Sequence, residues 1–288
     1  MTHPSDDKIV LMCNGEIYNH EKLCEKYEFQ TASGSDCEVI LHMYKKFGIK
    51  DTIAALDGVF AFVLYDGNTN TFYAGRDPFG IRSLFIGYTK SNGIVIASEL
   101  KSVAPLCSHS KHFLPGSYWT SERPNRFSIY EKLKFSYFTT MTASNNPENE
   151  VSKNVVRLLQ AAVQKRLMSD REIGCFLSGG LDSSLVAALV AKEYDDPKLL
   201  HTYSIGMKGS TDLKYARMVA DYIGTTHHEV LITKEDMLKA LPEVVRMIES
   251  YDTTTVRAST PMYLLSKWIK ENTETTVVFS GEGSDELS

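Results

Sequence analysis

The sequence predicts two successive architectures: an α+β half on an antiparallel sheet, then an α/β half on a parallel sheet. Three observations carry this. Short strand-like runs dominate the first half, divided by turn signals such as Asp66-Gly67-Asn68 and Ser91-Asn92-Gly93. In the second half strand and helix patterns alternate, as βα units require. Between them, Thr139 to Glu150 is polar and turn-rich and reads as a linker. A chain of 288 residues suits two domains, here 1–138 and 151–288 with 139–150 joining them.

In the first half the strand runs are Ile9 to Met12, Val59 to Tyr65, Thr71 to Ala74, Ser83 to Gly87 and Gly93 to Ala97. A helix is expected from Cys37 to Phe47, with Val39, Ile40, Met43 and Tyr44 on its apolar face. In the second half, helix Val151 to Leu167 precedes strand Ile173 to Leu177, and helix Ser184 to Glu193 leads to strand Leu199 to Ile205. Helix Asp212 to Ile223 precedes strand His228 to Ile232; helices Lys234 to Glu249 and Pro261 to Glu271 precede strand Thr276 to Phe279. A parallel sheet of this kind binds ligands at the carboxyl ends of its strands.

Composition narrows the function. Apolar residues make up 43% of the chain, ordinary for a globular protein. No apolar run reaches about 18 residues and the start has no secretory h-region, so neither a membrane span nor a signal peptide is expected. Five dispersed cysteines without a CxxC pair suggest reduced thiols and a cytoplasmic protein. A net charge of −5 without a basic stripe argues against nucleic-acid binding.

The most informative segment is Ser178-Gly179-Gly180-Leu181-Asp182-Ser183-Ser184, between an apolar run and an Ala/Leu/Val-rich helical pattern. A strand, a glycine turn and a helix start aim backbone N–H groups and the positive end of a helix dipole at one point, where phosphate binds. Glycines let the backbone approach a ligand closely, and the serines add hydroxyl donors. Asp182 suits the first helical turn, a cap, or a Mg2+ ion bridging to phosphate oxygens. The Gly-Lys-Ser/Thr ending of a P-loop is missing. The bland alternative is a capped turn without a ligand.

A second cluster, Ser280-Gly281-Glu282-Gly283-Ser284-Asp285-Glu286, places three carboxylates beside glycines directly after a strand. Such acids hold magnesium on a polyphosphate or bind a cationic substrate group; alone, they equally suit a solvated loop.

The first segment resembles the SGGxDS loop of ATP pyrophosphatases (PP-loop enzymes). SGGLDSS, HTYSIGM (His201 to Met207), YDTTTVRAS (Tyr251 to Ser259) and SGEGSDEL (Ser280 to Leu287) in that order resemble the glutamine-hydrolysing asparagine synthetases, animal forms especially. CNGEIYNH (Cys13 to His20), GSDCEVILHMY (Gly34 to Tyr44), LDGVFAFVLYD (Leu56 to Asp66) and GRDPFGIRSLF (Gly75 to Phe85) resemble their class II amidotransferase domain, an N-terminal-nucleophile sandwich. The resemblance implies a cytosolic ligase, possible as a homodimer, that takes aspartate, ATP with Mg2+, and glutamine or ammonia. It implies that Ser178, Gly179, Gly180, Asp182 and Ser183 hold pyrophosphate and magnesium. Leu177, Ile205, Gly206, Met207, Ser280 and Gly281 would meet ATP, and Glu282 would serve adenylate formation. Asn14, Gly15, Glu16 and Asp36 match glutamine-binding positions, and Arg76 and Asp77 a shared structural or interface turn.

The family pattern opens with Met-Cys-Gly, whose cysteine is the nucleophile; here residue 2 is Thr, and that nucleophilic Cys is absent. Cys13, read as a packed thiol at a strand end, supplies no free α-amine. The pattern also continues past Ser288. The chain as written is therefore expected to be truncated at both ends, its glutaminase step lost. The alternatives are a non-catalytic ATP-binding or regulatory fragment, and another adenylating synthetase such as a β-lactam synthetase. His227 and His228, on opposite faces of a strand, are expected at the surface rather than on a metal. Asp252 and Arg257 suit either the aspartate site, an inter-domain channel or a structural ion pair. Trp119 and Trp268 read as core or interface anchors.

Overall fold

A computed structural model describes residues 1–131 and 147–283, with side chains from 150 onward in the second stretch. The chain divides into two units, Met1–Met141 and Thr142–Ser288. The predicted order holds: antiparallel sheets of amidotransferase type first, then a parallel sheet of PP-loop type.

In the first unit β1 (Thr2–His3), β2 (Asp6–Ile17), β3 (Gly58–Asp66), β4 (Thr71–Arg76), β8 (Ser117–Thr120) and β9 (Phe127–Ile129) form one sheet in the order β1-β2-β3-β4-β8-β9. A second sheet has the order β6-β5-β7, from β5 (Phe85–Tyr88), β6 (Ile94–Ala97) and β7 (His109–His112). Helices α1 (His20–Tyr27), α2 (Glu38–Ala55) and α3 (Leu100–Val103) complete the unit. The alternation of β3 explains the layering, because successive side chains point to opposite faces. Phe60, Phe62 and Leu64 enter the core formed with Val39, Ile40 and Met43 of α2. Ala61 and Val63 face the other way, into a core with Leu84, Ile86, Phe113 and Trp119. Trp119 is thus a core anchor, its indole N–H donating to the Pro124 carbonyl at 2.9 Å.

Several boundaries differ from the sequence reading. Strand β2 runs to Ile17, so Cys13 lies inside it and not at its end. Helix α2 runs past Phe47 to Ala55 through a kink at Gly48, whose φ of 74° is left-handed and suits glycine. Strands β1 and β7–β9 and helix α1 lay outside the reading.

The second unit has helices α4 (Pro147–Gln164), α5 (Leu181–Ala191), α6 (Thr211–Ile223), α7 (Lys234–Ile248) and α8 (Thr253–Asn272). Its strands β10 (Ile173–Phe176), β11 (His201–Gly206), β12 (Thr226–Leu231) and β13 (Val277–Phe279) pair in parallel, in the order β12-β11-β10-β13. Helix α4 starts at Pro147, inside the span read as linker; proline suits a first helical position. Residues 139–146 of that span lie outside the described residues. Helix α5 starts at Leu181, three residues before the predicted Ser184, because Ser184 closes its N–H and hydroxyl onto the Gly180 carbonyl, at 3.1 and 2.6 Å. Helix α8 starts well before Pro261: Asp252 caps it, accepting from the Thr255 N–H at 2.9 Å. Asp252 thus caps the helix, and Arg257 is exposed one turn on.

The two histidines are half-buried and held by neighbours, rather than standing free at the surface as expected. His227 lies between two hydroxyls, Thr202 Oγ1 at 2.9 Å from Nδ1 and Ser204 Oγ at 3.0 Å from Nε2. His228 stacks on Tyr203 at 5.1 Å, with Nε2 3.1 Å from His201 Nδ1. They do occupy opposite faces, each filled by its own neighbours. Trp268 packs beside His228, part of the core under β11. Burial, reinforced by the Arg217 charge, lowers the His227 pKa from 6.5 to about 4. The folded state therefore resists protonating His227. Its contribution is complete above pH 6.5 and is lost as pH falls from 6.5 towards 4, by about 1–2 kcal/mol after allowing for solvent screening. The urea midpoint is expected to fall across that window, and His227→Gln to flatten the fall. An equal slope in the variant would overturn this.

Candidate functional site

The strand order places the site. The chain runs β10, β11, β12 to one side, then returns to lay β13 on the other side of β10. The adjacent carboxyl ends of β10 and β13 therefore flank a topological switch point, where open α/β sheets hold their ligands. Ser178–Ser183 follows β10, and Ser280–Gly283 follows β13. A cavity of about 270 Å³ opens between them.

Two glycines hold the loops together. Gly179 has φ +82°, and a Cβ there would lie 2.5 Å from the Ala216 nitrogen and 2.6 Å from the Tyr215 carbonyl carbon, so the loop rests on the α6 backbone. A Cβ on Gly281 would lie 2.7 Å from the Ser183 nitrogen. Hydroxyls fix the turn: Ser178 Oγ lies 2.9 Å from Ser183 Oγ, and the Ser178 N–H donates to Ser183 Oγ at 3.2 Å. The start of α5 has no side-chain cap at Gly180. The N–H groups of Leu181, Asp182 and Ser183 have no partner within their own helix, as geometry dictates at a helix start.

Of the residues singled out in the sequence, Ser178, Gly180, Asp182, Ser183, Ser280, Gly281 and Glu282 line this cavity. Gly179 supports it from behind. Leu177 is 1% exposed and its side chain packs in the core, leaving only its backbone near the loop. Ile205, Gly206 and Met207 end the neighbouring strand β11 outside the lining; Met207 is exposed. Phe176 and Met262 also line the cavity, and the sequence reading missed both. Met262 arrives from α8, so no local pattern announces it. Asp285 and Glu286 lie outside the described residues.

The donor set fits a magnesium-bound polyphosphate. It offers serine hydroxyls, helix-start amides and the carboxylates of Asp182 and Glu282, while no described lining residue is Lys or Arg. A bare polyanion would meet two negative charges there without a cation; a divalent ion between carboxylate and phosphate oxygens resolves the conflict. Among the described residues no three His, Cys, Asp or Glu side chains group to hold a metal by themselves.

In the first unit, Asn14, Gly15 and Glu16 pair with Ala61, Phe60 and Val59 on β3. Asp36, just before α2, accepts from the Ile17 N–H at 2.5 Å, so it sits at the same end of β2. Asn14 and Glu16 are exposed on the face away from α2. Glu38 fixes the preceding loop, accepting from the Ala32 and Ser33 N–H groups at 2.8 and 2.6 Å. Burial alone would raise its pKa; hydrogen bonds from Ser33, Ala32 and His42 outweigh that and hold it at about 2. Arg76 and Asp77 are structural: Arg76 donates to the carbonyls of Arg82, Phe113 and Gly80.

An antiparallel amidotransferase-type unit followed by a PP-loop-type parallel sheet defines the class. Residues 1–105 match the glutamine amidotransferase domain and residues 154–288 match asparagine synthase. The two matches follow one another in that order, and the chain is homologous along nearly its whole length to the glutamine-hydrolysing asparagine synthetases. It is 45% identical to the asparagine synthetase [glutamine-hydrolyzing] of Cricetulus griseus and also 45% identical to that of Homo sapiens, over 96% of this chain and 54% of each relative. The Triphysaria versicolor enzyme of that name is 43% identical over 98% of this chain and 48% of its own. The chain thus spans about half the length of the curated relatives it matches. No helix among the described residues is long and apolar enough to cross a membrane.

Proposed function

We propose that this chain carries the nucleotide-activating site of an ATP-dependent asparagine synthetase. The convergence of two glycine- and serine-bearing loops at the carboxyl ends of β10 and β13 carries the reading. Ser178, Gly179, Gly180 and Ser183 hold the β- and γ-phosphoryl groups through amides and hydroxyls. Asp182 orients magnesium, whose charge, when bound, offsets that of the leaving pyrophosphate. Leu177 (through its backbone), Ile205, Gly206, Met207, Ser280 and Gly281 border the nucleotide. A β-carboxylate oxygen of aspartate attacks the α-phosphorus and pyrophosphate leaves, giving β-aspartyl-AMP; Glu282, at the cavity wall, orients the reacting groups. Ammonia then attacks the β-carbonyl carbon and AMP departs. The carboxylate alone is a poor electrophile, and the phosphate leaving group lowers that barrier.

In the first unit, Asn14, Gly15, Glu16 and Asp36 form part of a glutamine site, the source of that ammonia. ATP–pyrophosphate exchange tests the reading. Label is expected to enter ATP only with aspartate and magnesium present. Exchange driven by another carboxylic acid would point to a different adenylating synthetase. ATP binding without exchange would leave a non-catalytic nucleotide-binding chain.

A further inference from the structure

Tyr203 bonds to both strands that carry the loops of the cavity, although it is not among the residues that line it. It lies on β11 and is 0% exposed. Its backbone carbonyl accepts from the Leu177 N–H at 2.8 Å, the amide immediately before Ser178. Its side chain reaches the other strand. The ring lies against Gly174 of β10, where a Cβ would sit 2.7 Å from Tyr203 Cε2 and 2.9 Å from Thr275 Cγ2. Past that glycine the phenol oxygen lies 2.7 Å from the Oγ1 of Thr275, at the foot of β13. Thr275 Oγ1 in turn donates to Glu172 Oε1 at 2.6 Å. A carboxylate only accepts, so the threonine proton goes to Glu172 and the phenol proton to Thr275. The chain Tyr203–Thr275–Glu172 therefore has one direction and ends on a charge, which strengthens it. Glu172 completes the tie through its backbone carbonyl, which accepts from the Thr276 and Val277 N–H groups at 3.1 and 3.2 Å.

We infer that Tyr203 is a positioning residue for the proposed adenylation: its carbonyl and its hydroxyl together set how the Ser280–Gly283 loop stands relative to the Ser178–Ser183 loop. β13 is three residues long and, among the described residues, pairs with β10 alone, so its own ladder holds its place weakly. At its far end there is no slack, since a Cβ on Gly281 would lie 2.7 Å from the Ser183 nitrogen. Sliding β13 in either direction changes that contact and the separation of Glu282 from Asp182. A misplacement of about 1 Å around reacting groups can cost roughly a hundredfold in rate. Tyr203 thus acts on the chemistry through Glu282 without touching a substrate. The effect on rate rests on the adenylation reading, whereas the tie between the strands does not.

Three variants of the full chain test this. Tyr203→Phe keeps the ring and removes only the hydroxyl; Thr275→Val removes both side-chain links from the other end; Thr275→Ser retains them. In the first two, kcat of aspartate-driven ATP–pyrophosphate exchange is expected to fall roughly tenfold or more. The Kd for ATP with magnesium is expected to stay at the parental value, because both variants keep the backbone bond from Leu177. Thr275→Ser is expected to match the parent. Amide hydrogen exchange supplies a readout independent of activity: residues 277–283 are expected to exchange faster in Tyr203→Phe and Thr275→Val, with 178–184 unchanged. A merely structural role would lower Tm and leave kcat of the folded enzyme alone. Parental kcat in both variants, ATP affinity lost in step with kcat, or faster amide exchange spread evenly over the sheet would each overturn the inference. A parent without exchange activity removes the adenylation reading instead; the amide rates then decide the tie, and parental rates over 277–283 overturn it.

Discussion

Gly179→Ala is expected to weaken nucleotide binding roughly a hundredfold. The residue combines two constraints that alanine cannot meet together. Its φ of +82° is left-handed, which costs an L-residue about 1–2 kcal/mol. The added Cβ would also meet the Tyr215 carbonyl carbon and the Ala216 nitrogen, 2.6 and 2.5 Å away, both backbone atoms in α6 that no rotamer change can move. The loop must lift from the helix, and the 178–183 donors then lose the spacing a polyphosphate needs. A loss of about 3 kcal/mol in binding corresponds to roughly a hundredfold in Kd. Gly224→Ala separates the two causes. Gly224 has a similar φ, +80°, at the end of α6, but a Cβ there meets nothing closer than 3.7 Å. That variant is expected to lose about 1 kcal/mol of stability and keep its ATP affinity. Calorimetric titration with ATP and magnesium decides: parental affinity in Gly179→Ala would remove the phosphate site from this loop.

How much of this the sequence shows follows from which signals are local. The strand–glycine–helix passage at 173–191 is local, since apolar run, turn and helix start adjoin in the chain, and it is read correctly apart from the first turn of α5. β3 is legible because its alternation extends over Gly58–Asp66. β7, His-Ser-Lys-His, has no apolar alternation; it is a strand because it pairs with β5, information held elsewhere in the chain. The start of α8 is obscured by Thr253, Thr254 and Thr255, which are poor helix formers, and by Pro261, which invites a start where the helix is already two turns old. Asp252 three residues before Thr255 was the usable cap signal. His227 and His228 look like surface residues on composition alone. Their partial burial depends on Thr202, Ser204 and Tyr203 arriving on β11. The cavity shows the same division: the residues of its two loops are legible as motifs, whereas Met262 is placed by the packing of α8.

Asp77→Ala is expected to cost the first unit more stability than any surface change. Asp77 is 1% exposed, and its carboxylate accepts four backbone N–H groups. Oδ2 takes Phe60 at 3.3 Å and Arg82 at 3.0 Å; Oδ1 takes Phe79 at 3.1 Å and Ile81 at 2.9 Å. These bonds bend the chain between β4 and β5 and anchor the bend to β3, so the two cores of the unit meet at this residue. Alanine leaves all four donors unpaired. Phe79 and Ile81 are exposed residues whose amides can turn to water, whereas Phe60 is fully buried. Charging about 1–3 kcal/mol for each buried orphan and less for the others gives about 3–5 kcal/mol. For a unit of this size that lowers Tm by roughly 10–15 °C. Asn keeps one oxygen for one pair of amides and turns an NH₂ towards the other, so Asp77→Asn should fall between parent and alanine. Arg76→Lys probes the other side of the same turn, because one ammonium cannot span three carbonyls that the guanidinium fork reaches together. Thermal melts of the full chain test the set. If Asp77→Ala melted within about 2 °C of the parent, a shift worth under 1 kcal/mol, the carboxylate would not be what holds the turn.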